Sequence, residues 1–139
     1  MSMSQTQEKA IDGTTSGLIN VNEFVTWEAT HFGITQHLSS RITVFDFPKH
    51  FRDEQISGPF KLIVHDHYFS QNGECVIMKD DFSFESPLGA LGRIANPVLK
   101  PYLTKLLTAR NSVIKYYAES GEWMKILPSN YSSSANVST

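Results

Sequence analysis

The chain has 139 residues, of which 40% are hydrophobic and 19% charged, and its formal net charge is -2. This length and balance are typical of one globular domain with its own core. No concentrated run of Lys or Arg suggests nucleic acid as a partner, and no apolar run is long enough to span a bilayer. Because a signal-peptide pattern is missing and Cys75 is the only cysteine, we expect a cytoplasmic protein without an intrachain disulfide.

Alternation of apolar and polar residues predicts β-strands over the first two thirds of the chain. The predicted strands fall at 8–19, 22–33, 34–47, 50–57 and as two runs within 61–84. The connections between them are short, so neighbouring strands should form an antiparallel meander of about six strands.

The first clear hairpin joins residues 22–33 and 34–47 by a turn at Phe32 and Gly33. This turn pairs Trp27 with Leu38, and two large apolar side chains mark their common face as the inner one. His31 shares that face, because side chains two residues apart point the same way along a strand.

The second hairpin is KLIVHDHYFSQNGECVIMKDDFSF, residues 61–84. Asn72-Gly73 between two β-rich runs is a strong turn signal, and this turn would place His65 directly opposite Asp80. One face would carry Ile63, His65, His67, Phe69, Met78, Asp80, Phe82 and Phe84. This face is the more aromatic one, so we predict that it is the inner face.

Residues 88–121 have an apolar stripe at helical spacing and form the predicted C-terminal helix. Asn96 followed by Pro97 resembles a helix start, so we expect a short helix, a break and then the main helix. Gly121 is the predicted C-terminal stop. The basic residues of this segment, including Arg110, are interpreted as an ordinary solvated face.

Histidine and aspartate on an inner face need an explanation. A buried polar group without a partner costs about 2–7 kcal/mol, whereas a ligand cavity uses such groups to orient its ligand. We therefore expect a cavity lined by Trp27, His31, His65, His67, Asp80, Phe82, Phe84, Leu99, Leu103 and Leu106. Three alternatives stay open: His65 and Asp80 satisfy each other, they lie at a solvated sheet edge, or the faces are inverted and Val64 and Tyr68 are the buried residues.

Several segments together resemble the helix-grip START/polyketide-cyclase (SRPBCC) superfamily, and in particular a bacterial subgroup of short members. They are AIDGTTSGLI, VTWEATHFGI, LSSRITVFDFPKHFRDEQ, GPFKLIVHDHYF and FESPLGALGRIA, and the likeness covers about residues 8–118. The resemblance implies an α+β fold in which a curved antiparallel sheet wraps a long C-terminal helix. It also implies a cavity for a small hydrophobic molecule such as a lipid, an isoprenoid or a polyketide-like compound.

The family fold begins with a strand and two short helices, which have no counterpart in this sequence. We therefore expect an N-terminally truncated domain at 8–121, a flexible N-terminus at 1–7 and a mostly disordered tail at 122–139. An uncovered edge strand exposes unpaired backbone groups. We accordingly expect a homodimer formed through this edge, low stability, or a longer native protein.

Binding of a hydrophobic ligand is the expected function, without a cofactor or a metal. The alternative is a cyclase or dehydratase in which His65, oriented by Asp80, is the base and His67 the donor to a developing enolate. A metal site on His65, His67 and Asp80 is a third hypothesis, because His-x-His on a strand places both imidazoles on one face. A protein-binding module that accepts a strand at its edge is the fourth.

Overall fold

The computed structural model describes residues 2–3, 8–87 and 89–125. The strands are β1 (Ser2–Met3), β2 (Glu8–Gly13), β3 (Phe24–His31), β4 (Ile34–Asp46), β5 (His50–Ser57), β6 (Leu62–Asn72) and β7 (Cys75–Glu85), and they form one sheet in chain order. Helix α1 (Ala90–Ser120) and a short 3-10 helix (Glu122–Lys125) follow. The predicted α+β arrangement of an antiparallel meander and one long C-terminal helix is confirmed, with the two-residue β1 added to six longer strands.

The sheet curves around α1. Two adjacent helix residues show this curvature, because one contacts β2 and the other contacts β7, near the two ends of the strand order. Arg110 Nε lies 4.0 Å from Glu8 Oε2 on β2, and Asn111 Nδ2 donates to Asp80 Oδ2 on β7 at 2.5 Å. In a flat sheet β2 and β7 would be about 24 Å apart, twice the diameter of a helix with its side chains. The face turned toward α1 is called the inner face, and the opposite one the outer face.

The β3–β4 hairpin turns at Phe32 and Gly33, as predicted, and both residues have positive φ, 54° and 76°. Positive φ at both central residues matches the right-handed twist of the flanking strands. Trp27 pairs with Leu38, so the predicted register of this hairpin is confirmed.

The β6–β7 hairpin corrects the predicted register. Asn72 pairs with Cys75, so the turn is Gly73-Glu74 and not Asn72-Gly73. Gly73 has φ 60°, and glycine as the first central residue is favoured in one common type of two-residue turn. His65 therefore faces Phe82, and His67 faces Asp80. Because the shift is two residues, every side chain keeps its predicted face.

Helix α1 is continuous, so the predicted break before Pro97 is wrong; Pro97 and Pro101 both lie inside the helix. A proline in a helix interior costs about 3 kcal/mol, because it loses an N–H bond and its ring crowds the preceding turn. The apolar face continues past both prolines, from Ala95 to Leu107, and lines the cavity between the helix and the sheet. Gly121 ends α1 in a left-handed conformation, as predicted.

The interior between the sheet and α1 is only partly filled. The buried hydrophobic residues of the described chain are Ala10, Val25, Ala29, Ile42 and Ile63, all small or medium in size. His65 and His67 are buried beside them, whereas Tyr68 on the outer face is 39% exposed. The predicted face assignment of β6 is therefore correct, and the inverted alternative is not.

The ends of the chain lie partly outside the described residues. Within the predicted flexible N-terminus, 1–7, β1 pairs with the start of β2, and positions 1 and 4–7 are not described. Within the predicted tail, the 3-10 helix is described and 126–139 is not. None of the helices in the described ranges has both the length and the apolar composition needed to cross a bilayer.

Candidate functional site

A cavity of about 290 Å³ lies between the inner face of the sheet and α1. The sheet side is largely apolar and includes Trp27, Ala29, Leu38, Phe60, Ile63 and Phe82. The helix side includes Leu99, Leu103 and Leu106, whose spacing keeps them on one face of α1. This volume is at the lower end of the range for small-molecule pockets.

Six of the ten residues predicted to line a cavity do so. They are Trp27, His31, Phe82, Leu99, Leu103 and Leu106. His65, His67, Asp80 and Phe84 are not among the described residues of the lining. Of the residues of β6 and β7, Ile63 and Phe82 contact the cavity. His65, His67 and Asp80 lie nearer the turn that joins these two strands.

Two groups of polar side chains interrupt the apolar wall, in addition to the single residues Gln36 and Ser86. At the first, His31 Nδ1 lies 2.6 Å from the Tyr102 hydroxyl oxygen. At the second, the Arg110 guanidinium carbon lies 5.9 Å from the centroid of the Trp27 ring, and Arg110 Nε lies 4.0 Å from Glu8 Oε2. Tyr102 and Arg110 are separated by about 12 Å of helix axis. The cavity is therefore an apolar space with a polar group at each of two defined places.

Beyond the Arg110 position, four titratable side chains meet on the inner face, and we call them the inner cluster: Asp53, His65, His67 and Asp80. His67 Nε2 lies 3.1 Å from Asp53 Oδ2, and His67 Nδ1 lies 2.8 Å from Asp80 Oδ1. His65 Nδ1 lies 3.8 Å from Asp53 Oδ2, and His65 Nε2 lies 3.6 Å from Asp80 Oδ1. Each imidazole thus stands between the same two carboxylates.

The predicted direct pairing of His65 with Asp80 is wrong, because the observed register brings His67 opposite Asp80. The buried atoms His65 Nε2 and Asp80 Oδ1 make no hydrogen bond within the described residues, and the 2.8 Å contact of Asp80 with His67 is off the line of an N–H bond. The inner cluster is therefore compact but incompletely hydrogen-bonded.

Burial sets the charge of the inner cluster. His65 is 3% exposed and His67 is 7% exposed. Burial, reinforced by the neighbouring His67, lowers the pKa of His65 to about 4. His65 is consequently neutral at neutral pH, with one ring nitrogen carrying a lone pair.

Aromatic and helical neighbours fix the orientation of the inner cluster. The ring of Phe51 stacks on His67 with a centroid distance of 4.2 Å, and Phe82 meets the edge of His65 at 5.2 Å. Asn111 of α1 donates to Asp80 Oδ2. Aromatic packing therefore orients the two imidazoles, and the Asn111 hydrogen bond orients the Asp80 carboxylate.

Sequence reasoning did not identify Asp53, Tyr102, Glu8 or Arg110. Asp53 could have been found by extending the alternation of β5, where Phe51 shares its face. The interpretation of Arg110 as part of a solvated face is wrong, because its side chain is 29% exposed and lines the cavity.

Strands β5 and β6 carry a second set of polar side chains on the outer face. We call this set the outer cluster: His50, Arg52 and Asp66. Asp66 accepts hydrogen bonds from Arg52 Nε at 2.8 Å and Arg52 Nη2 at 2.9 Å, and His50 Nε2 lies 2.6 Å from the same carboxylate. The Arg52 hydrogen bonds lower the pKa of Asp66. The carboxylate of this cluster is fully hydrogen-bonded.

A scan against models of known protein families and a search of curated proteins each found no match to this chain. The arrangement of the sheet and helix is compatible with a helix-grip fold.

Proposed function

We propose that the protein binds a small hydrophobic molecule, such as a lipid, an isoprenoid or a polyketide-like compound, in the cavity between the sheet and α1. The observation that carries this proposal is the cavity itself, whose walls are mostly apolar and hold a few polar groups at defined positions. We also propose that the chain belongs to the START/polyketide-cyclase superfamily. The curved sheet with one long C-terminal helix supports that assignment.

The polar positions favour an uncharged ligand with an oxygen at one end. His31 and Tyr102 together offer both a donor and an acceptor to a hydroxyl or carbonyl group. Glu8 lies near enough to Arg110 to offset its charge, which removes the attraction for an anionic group at the second position. Between the two positions the helix side of the wall is formed by Leu103, Leu106 and Leu107, over about 12 Å of helix axis, which suits a short hydrocarbon chain or a small ring system.

Cyclase or dehydratase chemistry would need an acid or base that reaches the ligand. His65 and Asp80, the predicted pair, are not among the described lining residues, and the titratable side chains on the wall are Glu8, His31, Tyr102 and Arg110. The lining residues therefore support binding and orientation of a ligand, and not proton transfer by His65 and Asp80.

Titration with the fluorescent probe N-phenyl-1-naphthylamine tests the proposal. Leu103→Trp places a large ring in the cavity and should weaken probe binding on the order of ten-fold, about 1.4 kcal/mol. Val98→Trp is the matched control, because Val98 is on the same helix but 62% exposed. Circular dichroism establishes that both variants fold. Equal affinity in the two variants, or no binding to the unsubstituted protein, would contradict the proposal.

A further inference from the structure

The inner cluster contains three donor atoms arranged closely enough to share one ion. One donor atom from each of Asp53, His65 and His67 lies within 4.8 Å of the other two. Two imidazoles and one carboxylate form a ligand set used by zinc and by other divalent transition metals. His65 and His67 project from one strand to the same face, and Asp53 faces His65 from the neighbouring strand.

The spacing of these atoms fits the coordination shell of zinc. Metal–ligand distances of about 2.0–2.1 Å in a tetrahedral arrangement imply donor–donor distances of about 3.3 Å. Asp53 Oδ2 lies 3.1 Å from His67 Nε2 and 3.8 Å from His65 Nδ1. These two distances bracket the required value, and no two of the three donor atoms are more than 4.8 Å apart, so the side chains need to move closer together to complete a zinc site.

Asp80 occupies the position of an outer carboxylate. Histidines that bind a metal through one ring nitrogen usually donate the other N–H to a carboxylate, which fixes the tautomer. Asp80 Oδ1 lies 2.8 Å from His67 Nδ1 and 3.6 Å from His65 Nε2, at the ring nitrogens that do not face Asp53, although neither contact is a hydrogen bond in this structure. The sequence suggested Asp80 as the third ligand, whereas the geometry gives that place to Asp53.

Contacts among the four side chains do not satisfy all of their polar atoms. His67 contacts both carboxylates, but the buried Nε2 of His65 has no hydrogen-bond partner within the described chain. Only 3% of the surface of His65 is exposed, and an unpartnered polar atom in such a buried side chain destabilises the fold. An ion held by His65 Nδ1 would orient Nε2–H toward Asp80 and offset the two carboxylates.

We propose that Asp53, His65 and His67 bind one divalent transition metal ion, with zinc as the best fit, and that Asp80 is a positioning residue for the two imidazoles. The site is separate from the cavity wall, since none of these four residues is among the described lining residues. An ion there would lock β5, β6 and β7 together at the inner face.

Isothermal titration of the chelator-treated full chain with Zn²⁺ tests the site. We expect one ion per chain and a loss of affinity of at least about ten-fold in Asp53→Asn, which keeps the shape of the side chain but weakens its ligation. His37→Asn is the matched control, since His37 is an exposed histidine beside a carboxylate, Glu28. It should leave the affinity unchanged, as should Leu103→Trp in the cavity.

Cobalt substitution supplies a readout that a structural role alone would not affect. Bound Co²⁺ should show the intense visible absorption of a low-coordinate site, and Asp80→Asn should shift this spectrum and lower the affinity on the order of 10- to 100-fold. The proposal is overturned if the folded chain takes up no stoichiometric Zn²⁺. It is overturned equally if Asp53→Asn, shown by circular dichroism to be folded, binds Zn²⁺ as tightly as His37→Asn.

Discussion

The inner and outer clusters both use β5 and β6, with Asp80 of β7 added on the inner face, and they differ in how completely their groups are paired. On the outer face Asp66 accepts two hydrogen bonds from Arg52 and contacts His50. On the inner face two carboxylates surround two histidines, and two of the buried atoms have no hydrogen bond within the described residues. The carboxylate of the outer cluster is fully hydrogen-bonded, whereas the inner cluster is not.

The two clusters differ in whether they contain a permanently charged cation. The guanidinium of Arg52 is permanently charged and matches a carboxylate with two parallel N–H groups, so Asp66 is held in its ionised form. In the inner cluster, burial favours neutral His65, so it offers a lone pair instead of a positive charge. A saturated cluster stabilises the fold, whereas an unsaturated one beside a cavity is a candidate for binding.

The largest expected effect is the pH dependence of the inner cluster in metal-free protein. His65 faces Asp53, His67, Asp80 and Arg110, and its pKa falls from 6.5 to about 4 on folding. The unfolded chain therefore binds more protons between these values, so the free energy of unfolding should fall by up to about 3 kcal/mol as pH drops from 6.5 to 4. Urea unfolding at a series of pH values measures this loss.

His65→Gln removes the titrating group and should flatten the pH dependence over that window. His37→Gln, which removes an exposed histidine, should leave it unchanged. If the unfolding free energies of the unsubstituted chain and of His65→Gln run parallel between pH 6.5 and 4, burial of neutral His65 is not the cause.

Removal of the carboxylate from the outer cluster should have the next largest effect. Asp66→Ala deletes the acceptor of the Arg52 hydrogen bonds and should lower the free energy of unfolding by about 2 kcal/mol. Asp81→Ala is the matched control, because Asp81 lies opposite Asp66 on β7 and is exposed. The control should change stability by less than about 0.5 kcal/mol. Equal effects of the two substitutions in urea unfolding would show that the outer cluster does not stabilise the fold.

The smallest of these effects concerns the link between α1 and the inner cluster. Asn111→Ala removes the donor to Asp80 Oδ2 and should destabilise the protein by about 1 kcal/mol relative to Asn96→Ala. Both substitutions make the same change in helix propensity, but Asn96 is exposed. Thermal unfolding of the two variants side by side isolates the hydrogen bond. Identical melting temperatures would mean that Asn111 contributes nothing through Asp80.

The fold and much of the cavity wall could be predicted because they depend on local periodicity. Alternation in residues 22–47 fixed the face of Trp27 and His31, and the helical stripe placed Leu99, Leu103 and Leu106 toward the sheet. Both patterns hold whatever the exact pairing of neighbouring strands.

Details that depend on long-range pairing could not be predicted in the same way. Alternation is unchanged by a two-residue shift, so it did not distinguish a turn at Asn72-Gly73 from one at Gly73-Glu74, and the partner of Asp80 was misassigned. Asp53 lies on a strand with little apolar signal and joins the inner cluster only through pairing with β6. Arg110 was misjudged because a curved sheet meets α1 from more than one side.

The most direct test of the central claim, a cavity that binds a hydrophobic molecule, is native mass spectrometry of the purified full chain followed by solvent extraction. The proposed function predicts one small apolar molecule per chain, or its uptake in a one-to-one complex when the N-phenyl-1-naphthylamine probe is added. Leu103→Trp should weaken that complex on the order of ten-fold, and Val98→Trp should retain it. A folded chain that carries no such molecule and forms no complex with the probe would contradict the claim.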